Sequence, residues 1–179
     1  MADSPPAGAR FTDELRFVGL FALVYVILHS LYFAIPDDIL RDRIYYHGVT
    51  TISADIINAV APSEKVRAIS NQIRSPRAAL EIVRGCDGSG VVFLLAAAII
   101  AFSASIGYKL VGILGAALLI YVVNLARIIG LYFVVAHRGE WFTPLHTYFI
   151  PTLLIIIAVT YFSSWAMWPL RGATAPANE

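Results

Sequence analysis

Four stretches of the chain are almost wholly apolar, and each approaches the roughly 20 residues a helix needs to cross the hydrocarbon core of a bilayer. Phe17 to Ile35 is the first, with His29 and Ser30 inside it, and Pro36-Asp37-Asp38 stops it. Gly90 to Ile106 is the second, rich in alanine and without a charge. After Gly107-Tyr108-Lys109 the third runs from Leu110 to about Ala136, longer than a simple span and interrupted by Asn124 and Arg127. Tyr148 to Trp168 is the fourth, with Pro151 near its start, where a missing backbone donor is best tolerated. Asp13 and Glu14 precede the first stretch and no A-x-A-like site follows it, so an uncleaved helix is expected there and not a signal peptide. The pattern predicts an all-α integral membrane protein, a bundle of about four transmembrane helices.

Between the first two spans lies one long polar excursion, residues 36–89. Within it Ile39, Leu40, Ile44, Val49, Ile52, Ile56, Ile57 and Val60 recur at helical spacing, which predicts an amphipathic helix on the membrane surface or capping the bundle. Pro62 closes that helix, and Val66 to Val83 has room for short extended pieces. The whole of 1–179 is expected to be one membrane domain, with flexible tails at 1–9 and 172–179.

Composition sharpens this picture. Of 179 residues 59% are hydrophobic and 14% charged, with a mean hydropathy of +0.73, which excludes an ordinary soluble domain. A net charge of +1 without any run of Lys or Arg gives no footing for nucleic acid. The single cysteine, Cys86, excludes an internal disulfide and a multi-thiolate zinc site, and neither a metal nor a cofactor is expected.

Counting crossings places the polar residues without fixing the orientation. Cys86 precedes the second helix and Lys109 follows it, so they mark opposite faces. From Leu110 to Arg127 a helix climbs about 26 Å of a core about 30 Å thick. Arg127 has therefore nearly returned to the face of Cys86, and His146, just before the fourth helix, lies on that face too. The positive-inside rule leaves the sidedness open: Arg10, Arg16, Lys109 and Arg171 lie on one side, while the other side's bases are mostly matched by acids within the long excursion.

An arginine inside a span is costly, about 2.5 kcal/mol or more at the centre, so Arg127 needs a partner or a task. Asn124, three residues earlier, shares its helix face and could complete a fork of donors; the alternative is an arginine snorkelling at the end of the third helix. Cys86 lies in Gly85-Cys86-Asp87-Gly88-Ser89-Gly90, a glycine-rich turn into a helix, where free N–H groups favour a thiolate. Asp87 opposes that effect, and inert packing is the other reading of a lone cysteine. His146 could act as general acid or base, or simply bond a carbonyl at the interface; His137 is its nearest competitor, with His29 in the first span and His47 on the amphipathic stretch. Tyr32, Trp141, Phe142, Tyr148, Trp165 and Trp168 at span ends read as an interfacial belt.

Taken in order, the Cys86-Asp87-Gly88 turn, Asn124-Leu125-Ala126-Arg127-Ile128 ending a helix and His146 opening the last helix resemble the exosortase/archaeosortase family of membrane-embedded sorting enzymes, in particular its short H and M types. The resemblance covers about residues 80–160. It implies a bacterial inner-membrane cysteine transpeptidase acting at the periplasmic face, through a thioester, on membrane-anchored proteins with a C-terminal sorting signal. By position Cys86 corresponds to the nucleophile, Arg127 to the essential arginine and His146 to the third catalytic residue, with Asn124 and Gly88 on the substrate side. Many members carry Ser where this chain has Asp87. From the residues alone two other classes stay open: a non-catalytic scaffold or small transporter using Arg127 and Asn124 to bind an anion or a partner helix, and a membrane cysteine acyltransferase acting on lipid-linked substrates.

Overall fold

The structure is a computed structural model describing residues 7–173, with side chains described over 12–168. The tails expected at 1–9 and 172–179 fall mostly outside those residues. Helix α1 (Ala7–Phe33) carries the first apolar stretch, and its end is set by chemistry as well as by Pro36. The last carbonyls of a helix have no partner within it. Here the Arg84 guanidinium supplies one, donating from Nη1 to Tyr32 O at 2.7 Å and from Nη2 to Ile35 O at 2.8 Å, its charge complementing the helix C-terminus.

Helix α2 (residues 37–60) is the expected amphipathic segment with a departure in pitch. Asp37–Ile39 and Thr51–Val60 are α-helical, but Leu40–Thr50 between them is wound as a wider π-helix. Of the eight apolar positions named above, Leu40, Val49 and Ile57 are buried while Ile39, Ile44, Ile52, Ile56 and Val60 are exposed.

After a short turn at Pro62–Glu64 the extended pieces appear as a three-stranded antiparallel meander, β1 (Arg67–Ile69), β2 (Gln72–Arg74) and β3 (Ala79–Glu81), in the order β1-β2-β3. Ile73, Leu80 and Ile82 face the core. The edge of β1 is covered by α2: the Asn58 side chain both donates to Val66 O and accepts from Val66 N, and Ser70 donates to Asp42.

Helix α3 (Ser89–Ala101) is shorter than its apolar stretch, because Phe102 leaves the helix with extended backbone. Its 13 residues rise about 20 Å, less than a bilayer core, with Leu95 to Ile99 buried. The helices long and apolar enough to cross a membrane are thus three among the described residues: Thr12–Phe33, Ile106–His137 and Gly139–Trp168. The last takes in most of helix α5 (residues 142–173). The chain is a helical membrane protein.

Helix α4 (Ile106–His137) organises the rest. Its 32 residues span about 48 Å, so one end lies in the bundle and the other stands beyond it. Ala116 and Ile120 pack with Leu95, Ile99, Ala158 and Trp165 in one core. Ile128, Leu131 and Tyr132 join α2 and the sheet in a second. Gly112 permits the first, since a β-carbon there would lie 2.5 Å from Trp165 Nε1. Trp165, expected in an interfacial belt, is instead buried in this packing.

Candidate active site

Asn124 occupies the seam between the two cores, buried, with Ile120 on one side and Ile128 on the other. One turn on, Arg127 is the charged residue of that seam. Its Nη1 donates to Asn124 Oδ1 at 3.4 Å and to Cys86 O at 3.5 Å, while Nη2 lies 3.5 Å from His146 Nδ1. The guanidinium is thus not snorkelling alone at a helix end: it joins α4, the 84–88 turn and the start of α5. Its Nε is buried without a hydrogen-bond partner.

Cys86 reaches this point because its turn is fastened on three sides. Arg84 holds the end of α1, as described above, and also contacts Asp37 Oδ1 at 2.5 Å. That ion pair holds the Asp37 carboxyl below the usual carboxylate range and Arg84 above its own. Asp87 accepts from Tyr32 Oη at 2.8 Å, from Gly85 N and from Ser89 Oγ, and Tyr32 Oη is 2.5 Å from Tyr45 Oη. Burial and the neighbouring Tyr32 hydroxyl push the Tyr45 phenol up. Gly85 and Gly88 both have positive φ, 90° and 83°, which lets the chain reverse from β3 into α3. Gly88 then rests directly on Asn124, so the structure gives it a close-packing contact against α4.

His146 sits in a π-helical turn, Leu145–Phe149. The turn has a local cause: Pro151 cannot donate back along the helix, and Ile150 N reaches Leu145 O, five residues earlier. The ring stacks on Phe142 with centroids 5.1 Å apart and planes 9° off parallel. Its Nε2 lies 3.8 Å from Cys86 Sγ. Cys86, Arg127, His146 and Phe142 line a cavity of about 190 Å³ whose other walls include Leu80, Glu81, Ile82 and Val83.

The remaining histidines are elsewhere. His137 is 3.3 Å from the buried carboxylate of Glu64, which also receives Arg77 and the Tyr132 hydroxyl. His29 stacks with Tyr25 and Phe33 on α1, and His47 against Tyr46. No group of three or more His, Cys, Asp or Glu suited to a metal ion occurs among the described residues.

Sequence reasoning missed Arg84, Tyr32 and Phe142 as parts of this constellation. Phe142 is four residues before His146, a spacing that stacks side chains on a helix and was the one local clue. Nothing local marked Arg84 or the Tyr32–Asp87 bond, which span 49 and 55 residues.

Comparison with known families gives one result that covers most of the chain: the family model described as transmembrane exosortase matches residues 7–163. No curated protein and no solved structure matches.

Proposed function

Since the chain belongs to the transmembrane exosortase family, we propose that it is a cysteine transpeptidase that cleaves a C-terminal sorting signal at the periplasmic face of a bacterial inner membrane. The observation that carries this reading is the approach of Cys86 Sγ to His146 Nε2, 3.8 Å, with Arg127 on the opposite ring nitrogen. A nucleophile beside a base whose ring is itself held by a third group, here the stacked Phe142, is the arrangement covalent acyl transfer requires.

In this reading the neutral His146 ring carries its proton on Nδ1, so that Nε2 takes the sulfur's proton and the thiolate adds to the scissile carbonyl. Negative charge growing on that carbonyl oxygen is offset by the guanidinium of Arg127, which lines the same cavity as Cys86. Collapse of the adduct breaks the C–N bond, the proton on Nε2 moves to the leaving nitrogen, and a thioester remains on Cys86. An acceptor amine, lipid hydroxyl or water then attacks the thioester, giving up its proton as the thiol is restored. A substrate anchored in the same bilayer meets the cavity at fixed depth, which lowers the entropic cost of positioning.

Asp87 has its own place in this scheme. Its carboxylate is taken up by Tyr32, Gly85 and Ser89, so it serves as a fastening of the turn.

The deciding experiment uses the full chain in its membrane, with a membrane-impermeant maleimide and with mass spectrometry of Cys86. Labelling from the periplasm, together with a hydroxylamine-sensitive acyl adduct on Cys86 that Cys86→Ala and His146→Ala lack, is expected. Substrate processing that survives Cys86→Ala overturns the reading, and Arg127-dependent binding with a silent Cys86→Ser would favour the scaffold or transporter alternative.

A further inference from the structure

The three-stranded meander has two edges, and they are treated differently. Exposed edges invite pairing with another chain, and proteins usually cover them. The β1 edge is covered by α2, through Asn58 against Val66 and Ser70 against Asp42. The β3 edge forms a wall of the cavity that holds Cys86.

Its free hydrogen-bonding groups follow from the register. Ser75 N donates to Ala78 O and Ile82 N to Asn71 O, both at 2.8 Å, and the strands pair Ile73 with Leu80. In an antiparallel ladder, bonded pairs alternate with unbonded ones, so 78, 80 and 82 turn their backbone groups toward β2. Ala79, Glu81 and Val83 turn theirs the other way. The Val83 carbonyl is already used, receiving Cys86 N at 2.9 Å, which leaves the N–H groups of 79, 81 and 83 and the carbonyls of 79 and 81. Burial alternates in step: Leu80 and Ile82 are in the core while Ala79, Glu81 and Val83 are exposed. Phe142 and His146 line the same cavity as residues 80–83, and the strand leads within five residues to the cysteine.

From this arrangement we infer that the open edge of β3 binds the extended backbone of the polypeptide substrate as a fourth strand, delivering its carbonyl to Cys86. The inference rests on the proposed cysteine chemistry. Main-chain pairing of this kind holds a peptide by its backbone and leaves side-chain selection to the pockets on either face. It also extends the substrate beside the sulfur, the conformation in which a scissile bond is most accessible.

The test uses the full chain in detergent or nanodiscs and two alkylating probes with the same warhead, acetyl-Ala-Ala-Ala chloromethyl ketone and chloroacetone. In each, Cys86 Sγ displaces chloride and forms a thioether, followed by mass. The peptidyl probe is expected to alkylate Cys86 about tenfold or more faster than chloroacetone, the worth of one or two added hydrogen bonds. Glu81→Pro removes an outward N–H, a change edge strands accommodate, together with the side-chain bond to Asn71, and is expected to abolish that excess, whereas Glu81→Ala, which loses that side-chain bond alone, keeps it. On the unaltered protein, single N-methylation of the probe is expected to slow alkylation at alternate amides only.

A Cys86 that alkylates with chloroacetone but shows no peptidyl excess, or an excess indifferent to both Glu81→Pro and N-methylation, overturns the edge. A Cys86 inert to chloroacetone overturns the cysteine chemistry beneath it. Edge-to-edge pairing of two copies of the chain, detected as a disulfide between Glu81→Cys residues in a Cys86→Ala background, also overturns it.

Discussion

Gly88 lies so close to Asn124 that a β-carbon at position 88 would come within 3.2 Å of Asn124 Cγ. The contact couples the cysteine turn to the helix face that carries Arg127, and it needs a residue with no side chain and a φ of 83°. Gly85 has a similar φ, 90°, but open space around it. Gly88→Ala therefore combines backbone strain, on the order of 1–3 kcal/mol, with displacement of Asn124, while Gly85→Ala has the strain alone. Thermal unfolding of the detergent-solubilised protein should rank Gly88→Ala as the more damaging, and thiol alkylation should slow markedly only there.

Arg127 is held by its geometry and not by its charge alone. It touches Asn124, Cys86 O and His146 through two different nitrogens. A lysine keeps the charge but not the planar fork. Arg127→Lys is accordingly expected to resemble Arg127→Ala, each slowing alkylation of Cys86 by iodoacetamide about tenfold, since both lose the fork that joins Cys86 O to Asn124 and His146. An alkylation rate that Arg127→Lys preserves would reduce the role of Arg127 to charge.

Tyr32 links the first helix to the cysteine turn through Asp87 and to α2 through Tyr45. Tyr32→Phe leaves the Asp87 carboxylate without that donor, at a cost of about 1–3 kcal/mol for a partly buried acceptor. A fall in the unfolding midpoint with slower Cys86 alkylation is expected. Loss of stability with an unchanged alkylation rate would show that the bond fastens α1 without positioning the sulfur.

The Arg84–Asp37 pair sets an acid limb. Arg84 lowers the Asp37 carboxyl pKa in the folded protein. A carboxyl depressed on folding stabilises the protein above its unfolded value, about 3.9, and that contribution is lost as pH falls through the lower folded value. Asp37 is largely exposed at 74%, so the effect is modest and sensitive to salt. Unfolding midpoints measured between pH 7 and pH 3 should fall less steeply below about pH 5 in Asp37→Asn than in the unaltered protein.

The candidate site was legible in the sequence as a set of residues. Arg127 stands out by its cost in an apolar helix, Asn124 by its helical spacing to it, Cys86 by its glycines, and His146 by the count of crossings that puts all of them on one face. Faces within the excursion were not legible. The π-helical stretch Leu40–Thr50 changes the residues per turn, so apolar periodicity at α pitch does not separate the apolar positions packed in the core, Leu40, Val49 and Ile57, from the exposed Ile44, Ile52 and Ile56. Hydropathy makes the second apolar stretch long enough for a span but does not register the backbone change at Phe102 that ends α3 after 13 residues.

What the sequence determined by itself is what local, additive chemistry decides: where the chain prefers hydrocarbon to water, where helices stop, and which polar side chains are too costly there to be idle. Tertiary structure decided which of those side chains meet. Cys86 and His146 are 60 residues apart, and no local rule brings a sulfur within 3.8 Å of an imidazole. That approach depends on Arg84 and Asp87 fastening the turn, on Gly88 admitting Asn124, and on α4 being long enough to serve both cores. Each is a contact between segments far apart in the chain, whose free energy exists only once the whole has packed.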